Sequence, residues 1–527
     1  MRRVLQTLPR KYVRHSSYVA GFFNYKVVGE EMFPFPTHKF DTDESENVQT
    51  LIEQIRNNDK DLSLAGSRIA DEYGGLGLSH TAHALVCEEI GTSGDTSLLE
   101  TMQHCGVCSY LLSTVGTKEI KGKYLTAMSD GTAILGWATQ EDCGSDISMN
   151  TCQATLEGAN YTITGTKSCA FAQKATHFIV LAKAKTQAAT ESGPTEANRN
   201  TFFIVKRDAP GVKVERDTVT FEKSTVSDIV GVVGEGFKDR MITLFTEQYV
   251  YSAALLGCLK RVLQELRDCV PDKWATNTIA SCACTMYAME SSLYALTANL
   301  DLPTQDSLLE AALVNAYIQN RANMWLTTLS TATPSSEQLE NLYSAARKLL
   351  SLMESTDFLN ATAVCCGVED FGLLFQKTST LQMIQARTAR SLGARERIPI
   401  KEVDCSAIEN SIVSFGTAVE ATYVRNTTRV PYEHLVINRL GEAASLLYAA
   451  SACASRASMC INKRLPTAKT EKQLASAFIA SATERVDHLC NECCNVGMTA
   501  DDMYKRIALE VCEDALASPH KPKQTIQ

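Results

Sequence analysis

A chain of 527 residues with 45% hydrophobic and 21% charged residues can bury a large core, and its length suits three or four domains. A net charge of −9 supplies no basic field, so nucleic acid is not expected as a partner. No stretch reads as an uninterrupted apolar span, so no integral membrane segment is expected either.

The first residues carry Arg2, Arg3, Arg10, Lys11 and Arg14 with no acid before Glu30. That basic, acid-free character predicts a mitochondrial presequence over residues 1–20 and a mitochondrial location. The next block, 21–130, reads as an N-terminal helical domain. Leu51, Ile52 and Ile55 share one helical face, and Ala82, Leu85, Val86 and Ile90 share another. Tyr73-Gly-Gly-Leu-Gly-Leu78 punctuates the helices as a loop.

From 131 to 238 the pattern shortens to alternating runs such as Tyr161-Thr-Ile163, Phe178-Ile-Val-Leu181 and Phe202-Phe-Ile-Val205, which predict a β domain. The polar run Thr186–Asn200 has no apolar period and is expected as an exposed loop. Helical spacing returns over 239–402, with Leu255, Leu256, Val262, Leu263 and Leu266 along one element and Ala346, Leu349, Leu350 and Met353 along another. A last helical block, 410–527, contains the small-residue run Ala443–Ala457, which permits close helix approach.

Nineteen cysteines diluted over this length read as small buried hydrophobes rather than a disulfide framework. Two clusters, His104-Cys105-x-x-Cys108 and His488-x-Cys490-x-x-Cys493-Cys494, lack the second ligand pair that a closed zinc site needs. No metal is expected there.

Two motifs carry the chemistry. Thr139-Gln-Glu-Asp-Cys-Gly-Ser-Asp146 and Gly165-Thr-Lys-Ser-Cys-Ala-Phe171 resemble the flavin-site signatures of the acyl-CoA dehydrogenase family. The family reads Thr-Glu-Pro-x-x-Gly-Ser-Asp, then Gly-x-Lys-x-Trp-Ile-(Ser/Thr)-Asn. Phe33-Pro-Phe-Pro36, Asp71–Leu78, Cys87-Glu-Glu-Ile-Gly91 and Phe415–Glu420 extend the resemblance along the chain. Asn438-Arg-Leu440, Leu447-Tyr448 and Ala454–Ser458 narrow it to the very-long-chain branch, which includes a paralogue that helps assemble respiratory complex I. The resemblance implies an α+β fold: an N-terminal helical domain, a middle β-barrel domain, a C-terminal four-helix bundle and an additional C-terminal helical domain.

The family's reaction takes a proton from the carbon α to a thioester and passes hydride to flavin, so it needs a carboxylate base and a held flavin. The usual base is the Glu of a Phe/Tyr-Glu-Gly-Thr motif, which by count falls on Arg390 or Leu392, neither able to accept a proton. Other members place it on the helix after the β domain, a position held here by Glu247. Glu247 is therefore the candidate base, with a solvated helix glutamate as the alternative.

For FAD, the resemblance implies Thr139, Gly144, Ser145 and Lys273 as the remaining contacts, while Gly-Ser-Asp is equally explained as a turn opening the β domain. Cys169 stands for the family's tryptophan, Phe171 for its hydroxyl residue and Ala363 for a glutamine. Lys273 replaces an arginine and loses its two-point grip. FAD is thus expected from the family but weakly held or lost.

Two functions follow: a catalytically inactive member acting as a mitochondrial assembly or scaffold factor, with respiratory complex I one such assembly, or an FAD-dependent acyl-CoA dehydrogenase of fatty-acid β-oxidation with a relocated base. Acyl-CoA is a ligand only in the second. A homodimer is expected in both.

Overall fold

The computed structural model describes residues 17–57, 63–142, 149–190, 193–267, 278–302, 307–331 and 336–513. The chain opens with α1 (Tyr18–Phe23), α2 (Thr42–Arg56) and α3 (His80–Ser93), followed by α4 (Leu99–Gln103), α5 (Ser109–Val115) and α6 (Lys118–Ser129). Short side chains fix where these helices start. Asp41 caps α2 through Glu44 N–H, Ser79 caps α3 through Ala82 N–H, and Thr117 caps α6 through Ile120 N–H. Between α4 and α5, His104–Cys108 widen into a buried π-helical turn.

α1 begins within the stretch 1–20 expected as a presequence and runs past it, and Tyr18, Val19, Phe22 and Phe23 are core residues. The Tyr18 hydroxyl donates to Ser451, and Phe23 stacks edge-on against Phe415.

The middle domain, expected as a barrel, is an eight-stranded sheet. Its strands are β1 (Leu135–Ala138), β2 (Gln153–Glu157), β3 (Asn160–Ser168), β4 (His177–Thr190), β5 (Gly193–Lys206), β6 (Val212–Glu215), β7 (Thr218–Val226) and β8 (Ile229–Val230). The hydrogen-bonded order is β6-β7-β3-β2-β4-β5-β8, with β1 joined in parallel to β4. One face closes its own small core around Ile163, Phe178, Phe203 and Phe221.

The loop expected over Thr186–Asn200 is instead the far end of the β4–β5 hairpin, paired in register out to Thr190 opposite Gly193. The ladder is made by backbone groups, so a polar run without apolar alternation still extends it.

Helices then resume with α7 (Gly236–Glu247), α8 (Tyr249–Arg267), α9 (Ala280–Leu300), α10 (Leu308–Ser330), α11 (Glu337–Leu352), α12 (Thr356–Lys377) and α13 (Thr380–Ser391). α3 and α8 approach closely at two glycines. A methyl group on Gly91 would sit 1.9 Å from the Ala254 carbonyl oxygen, and one on Gly257 would sit 2.0 Å from that of Glu88. Only glycine allows these backbones to touch.

α14 (Ser406–Asn426), α15 (His434–Asn462), α16 (Ala468–Cys494) and α17 (Asp501–Glu513) form the additional C-terminal layer. Its small-residue helix α15 packs against α9, α10 and α12, so one continuous core joins this layer to the bundle. By length and composition α12 could cross a membrane, but two-thirds of its apolar stretch is buried inside the protein, as in a core helix.

Cys284 and Cys494 are half-buried, and the other cysteines whose side chains are described are buried. Among the described residues no group of three or more metal-ligating side chains comes together.

Candidate functional site

Glu247 ends α7, where Gln248 separates it from α8. It is not a solvated helix glutamate, because its side chain is 0% exposed. Arg68 Nη2 donates to Glu247 Oε1 at 3.0 Å, and the same guanidinium donates to the Leu78 carbonyl. His80 Nε2 lies 3.3 Å from the same carboxylate oxygen without the alignment of a hydrogen bond. Glu247 Oε2 has no hydrogen-bond partner among the described residues and faces Gly106 in the π-helical turn.

The pair sits at one end of a buried polar chain. Asp301, at the C-terminus of α9, accepts from the His80 backbone N–H at 2.6 Å and lies 2.9 Å from His80 Nδ1. It also accepts from the Thr81 N–H and hydroxyl. A carboxylate at this place complements the partial positive charge at the start of α3. His38 continues the chain, 3.5 Å from Asp301 and 3.0 Å from Glu44, and Glu44 accepts from the Ser79 N–H.

Burial alone would push the Glu247 carboxyl up, but Arg68 and then His80 outweigh it and hold it down to about 2. Burial pushes the neighbouring His83 down to about 3, so its ring is neutral and pairs with the Tyr249 hydroxyl at 3.1 Å. In this arrangement Glu247 is ion-paired with Arg68, and a carboxyl held that low is a weak proton acceptor. A general base is most effective with its pKa near the working pH.

The residues at the family's other base position lie elsewhere. Arg390 stacks over the Tyr25 ring at 3.8 Å and pairs with Glu420 at 3.3 Å, while Leu392 is 83% exposed. Phe375-Gln376-Lys377-Thr378, at the end of α12, carries an amide and no carboxylate between its aromatic residue and its threonine. Ser379, just after it, makes a capping box with Gln382 and starts α13. Gln376 donates to the Tyr423 hydroxyl at 2.9 Å. It lines a cavity of about 430 Å³ with Glu369, Cys365 and Tyr423. An amide accepts no proton at neutral pH.

Of the positions expected to meet FAD, only Thr139 is among the described residues, and it makes a contact within the chain. The Thr139 hydroxyl accepts from Arg240 Nε at 3.3 Å, and Arg240 Nη2 pairs with buried Glu354 at 2.7 Å. Arg240 Nη1 is left without a partner among the described residues. Lys167, matching the lysine of the second motif, is fully buried and pairs with Glu141 at 2.7 Å. Burial opposes ionisation of Glu141, but Lys167 and the N–H groups of Thr151 and Cys152 outweigh it and hold the carboxyl down to about 2.

Cys169 is 0% exposed, with its sulfur packed close to Gly136, and Ala363 is buried within α12. Phe171 adopts a left-handed backbone with φ 66°, and its ring lies 5.1 Å from Lys348 Nζ. Among the described residues, Thr139 and Lys167 thus make contacts within the chain, and Phe171 places an aromatic ring where the resemblance implies a hydroxyl. Gly144, Ser145 and Lys273 lie outside the described residues.

Comparison with known proteins agrees with this geometry in outline. Residues 34–132 match the acyl-CoA dehydrogenase N-terminal domain, 136–228 the acyl-CoA dehydrogenase middle domain, and 402–516 the ACAD9/ACADV C-terminal domain. The chain belongs to the acyl-CoA dehydrogenase family. It is 25% identical over 553 aligned residues to the mitochondrial very long-chain specific acyl-CoA dehydrogenase of Rattus norvegicus, covering 89% of this chain and 83% of that one. Against the Homo sapiens protein of the same name the identity is 23% with the same coverage. Among solved structures, an acyl-CoA dehydrogenase complexed with FAD from Bacillus anthracis aligns over 97% of this chain and 96% of its own, with a TM-score of 0.75 and 18% identity. The butyryl-CoA dehydrogenase of Megasphaera elsdenii aligns over 62% of this chain and 98% of its own, with a TM-score of 0.54 and 16% identity.

Proposed function

We propose that this chain is a family member that no longer performs acyl-CoA dehydrogenation and acts as a scaffold or assembly factor in mitochondria. The observation that carries the reading is the state of Glu247, the carboxylate at a base position: it is locked onto Arg68 and held near 2. Gln376, Arg390 and Leu392 supply no substitute. FAD, expected from the family, is held weakly or not at all, in keeping with the internal pairing of Thr139, Lys167 and Arg240.

The mitochondrial location is supported by the basic N-terminus and by the names of the relatives. Because Tyr18 and Val19 are core residues, a presequence shorter than the expected 1–20 is the form of this reading that leaves the core intact. A homodimer is the proposed state, following family habit. Respiratory complex I is the proposed assembly through resemblance of the C-terminal layer alone.

One observation favours the second reading, an active FAD-dependent dehydrogenase: Glu247 Oε2 is unpartnered and buried. For it to serve as a base, Arg68 would have to release the other oxygen. The deciding experiment is turnover of palmitoyl-CoA by the purified full chain supplied with FAD and an artificial electron acceptor. No enoyl-CoA product supports the scaffold reading. Product formation that Glu247→Gln abolishes overturns it.

A further inference from the structure

Between α13, α14 and Tyr25 lies a cavity of about 690 Å³, within the size range of small-molecule sites. Its walls carry Arg387, Arg390 and Arg425 against one carboxylate, Glu420. In a chain of net charge −9 this is a local excess of two positive charges.

The contacts within the cavity leave donors over. Glu420 accepts from Tyr25 Oη at 2.6 Å and from Arg387 through Nε at 2.6 Å and through Nη2, and it pairs with Arg390 Nη2 at 3.3 Å. Arg425 gives its two terminal nitrogens to the Cys493 and Cys494 carbonyls, at 3.2 and 2.9 Å, closing the end of α16. Each guanidinium has five N–H groups, so one carboxylate and two carbonyls cannot satisfy all three.

The cavity is also shaped at a conformational cost. Tyr25 adopts φ 60°, a left-handed backbone that non-glycine residues seldom take, and its ring lies against Gly416, where any Cβ would approach to 2.5 Å. Arg390 is held flat on that ring at 3.8 Å. Strain of this kind concentrates where a side chain has to be presented in one orientation.

We propose that this cavity binds a small dianionic ligand through the planar forks of Arg387 and Arg390 with Arg425 beside them, the ligand bearing a phosphate monoester or a pair of carboxylates. Guanidinium groups grip both oxyanions by two points, and the dianion matches the excess charge.

The test is isothermal titration of the full chain at fixed ionic strength with phenyl phosphate in one arm, succinate in another and acetate as the monoanion control. Saturable binding of phenyl phosphate or succinate at one per chain is expected, and the arm that binds identifies the oxyanion. Arg387→Gln, on a half-exposed side chain, should weaken it about ten-fold, the loss of one charge-assisted contact. Glu420→Gln should tighten it, because the competing carboxylate is gone. Lys213→Gln, removing a cation from the β6 strand, should change nothing. No saturable binding in either dianion arm overturns the proposal. So does equal weakening by Arg387→Gln and Lys213→Gln, which would reveal only general charge attraction. Should Glu420→Gln fail to fold, the contrast between Arg387→Gln and Lys213→Gln decides alone.

Discussion

Replacing Glu247 with Gln separates a structural role from a catalytic one. In the folded chain its carboxyl is held near 2, against an ordinary value of 4.5. At about 1.4 kcal/mol per pKa unit, that difference contributes about 3 kcal/mol of stability at neutral pH. A second route gives the same size: removing one partner of a buried pair leaves Arg68 uncompensated and costs about 3–5 kcal/mol.

Against a typical stability of about 5–15 kcal/mol, the variant should unfold at clearly lower urea concentration. The sign of the pH dependence is fixed as well. Because the folded pKa is depressed, the contribution is complete above about 4.5 and is lost as pH falls towards about 2. The gap between wild type and Glu247→Gln should therefore shrink over that window, as read by tryptophan fluorescence in urea at several pH values. A gap below about 1 kcal/mol at pH 7, or one that does not change with pH, would refute the locked-pair account.

Other outcomes follow from packing and charge. Removing residues 1–16 should leave a folded protein, whereas removing 1–23 strips Tyr18, Val19, Phe22 and Phe23 from the core and should give aggregated material on gel filtration. Gly257→Ala should cost about 3 kcal/mol or more by forcing α3 and α8 apart, whereas Gly122→Ala, with open space around it in α6, should stabilise by about 0.5–1 kcal/mol. Residues 1–30 fused to a fluorescent reporter should carry it into mitochondria, and a diffuse cytosolic signal would count against the proposed location.

Local signals in the sequence carried the helices well. The apolar rows at Leu255, Leu256 and Val262, and at Ala346 and Leu349, are core faces of α8 and α11. The β4–β5 extension was not legible, because its ladder is satisfied by backbone alone and leaves no alternating apolar trace. Nor was the burial of Tyr18 visible, since its hydroxyl meets Ser451, 433 residues away.

The candidate site shows the same division. Position alone singled out Glu247, but its chemistry is set by Arg68, separated by 179 residues and carrying no motif of its own. The replacements at Cys169 and Phe171 were plain in the sequence. The contacts that occupy Thr139 and Lys167 required the fold, since Arg240 and Glu141 reach them from other elements.

The most direct test of the central claim is the visible spectrum of the purified full chain after incubation with excess FAD and gel filtration. A protein peak with no flavin absorption near 450 nm, on the order of 0.1 flavin per chain or less, is the result expected from satisfied contacts at Thr139 and Lys167 and the ring at Phe171. A yellow peak at about one flavin per chain would contradict it.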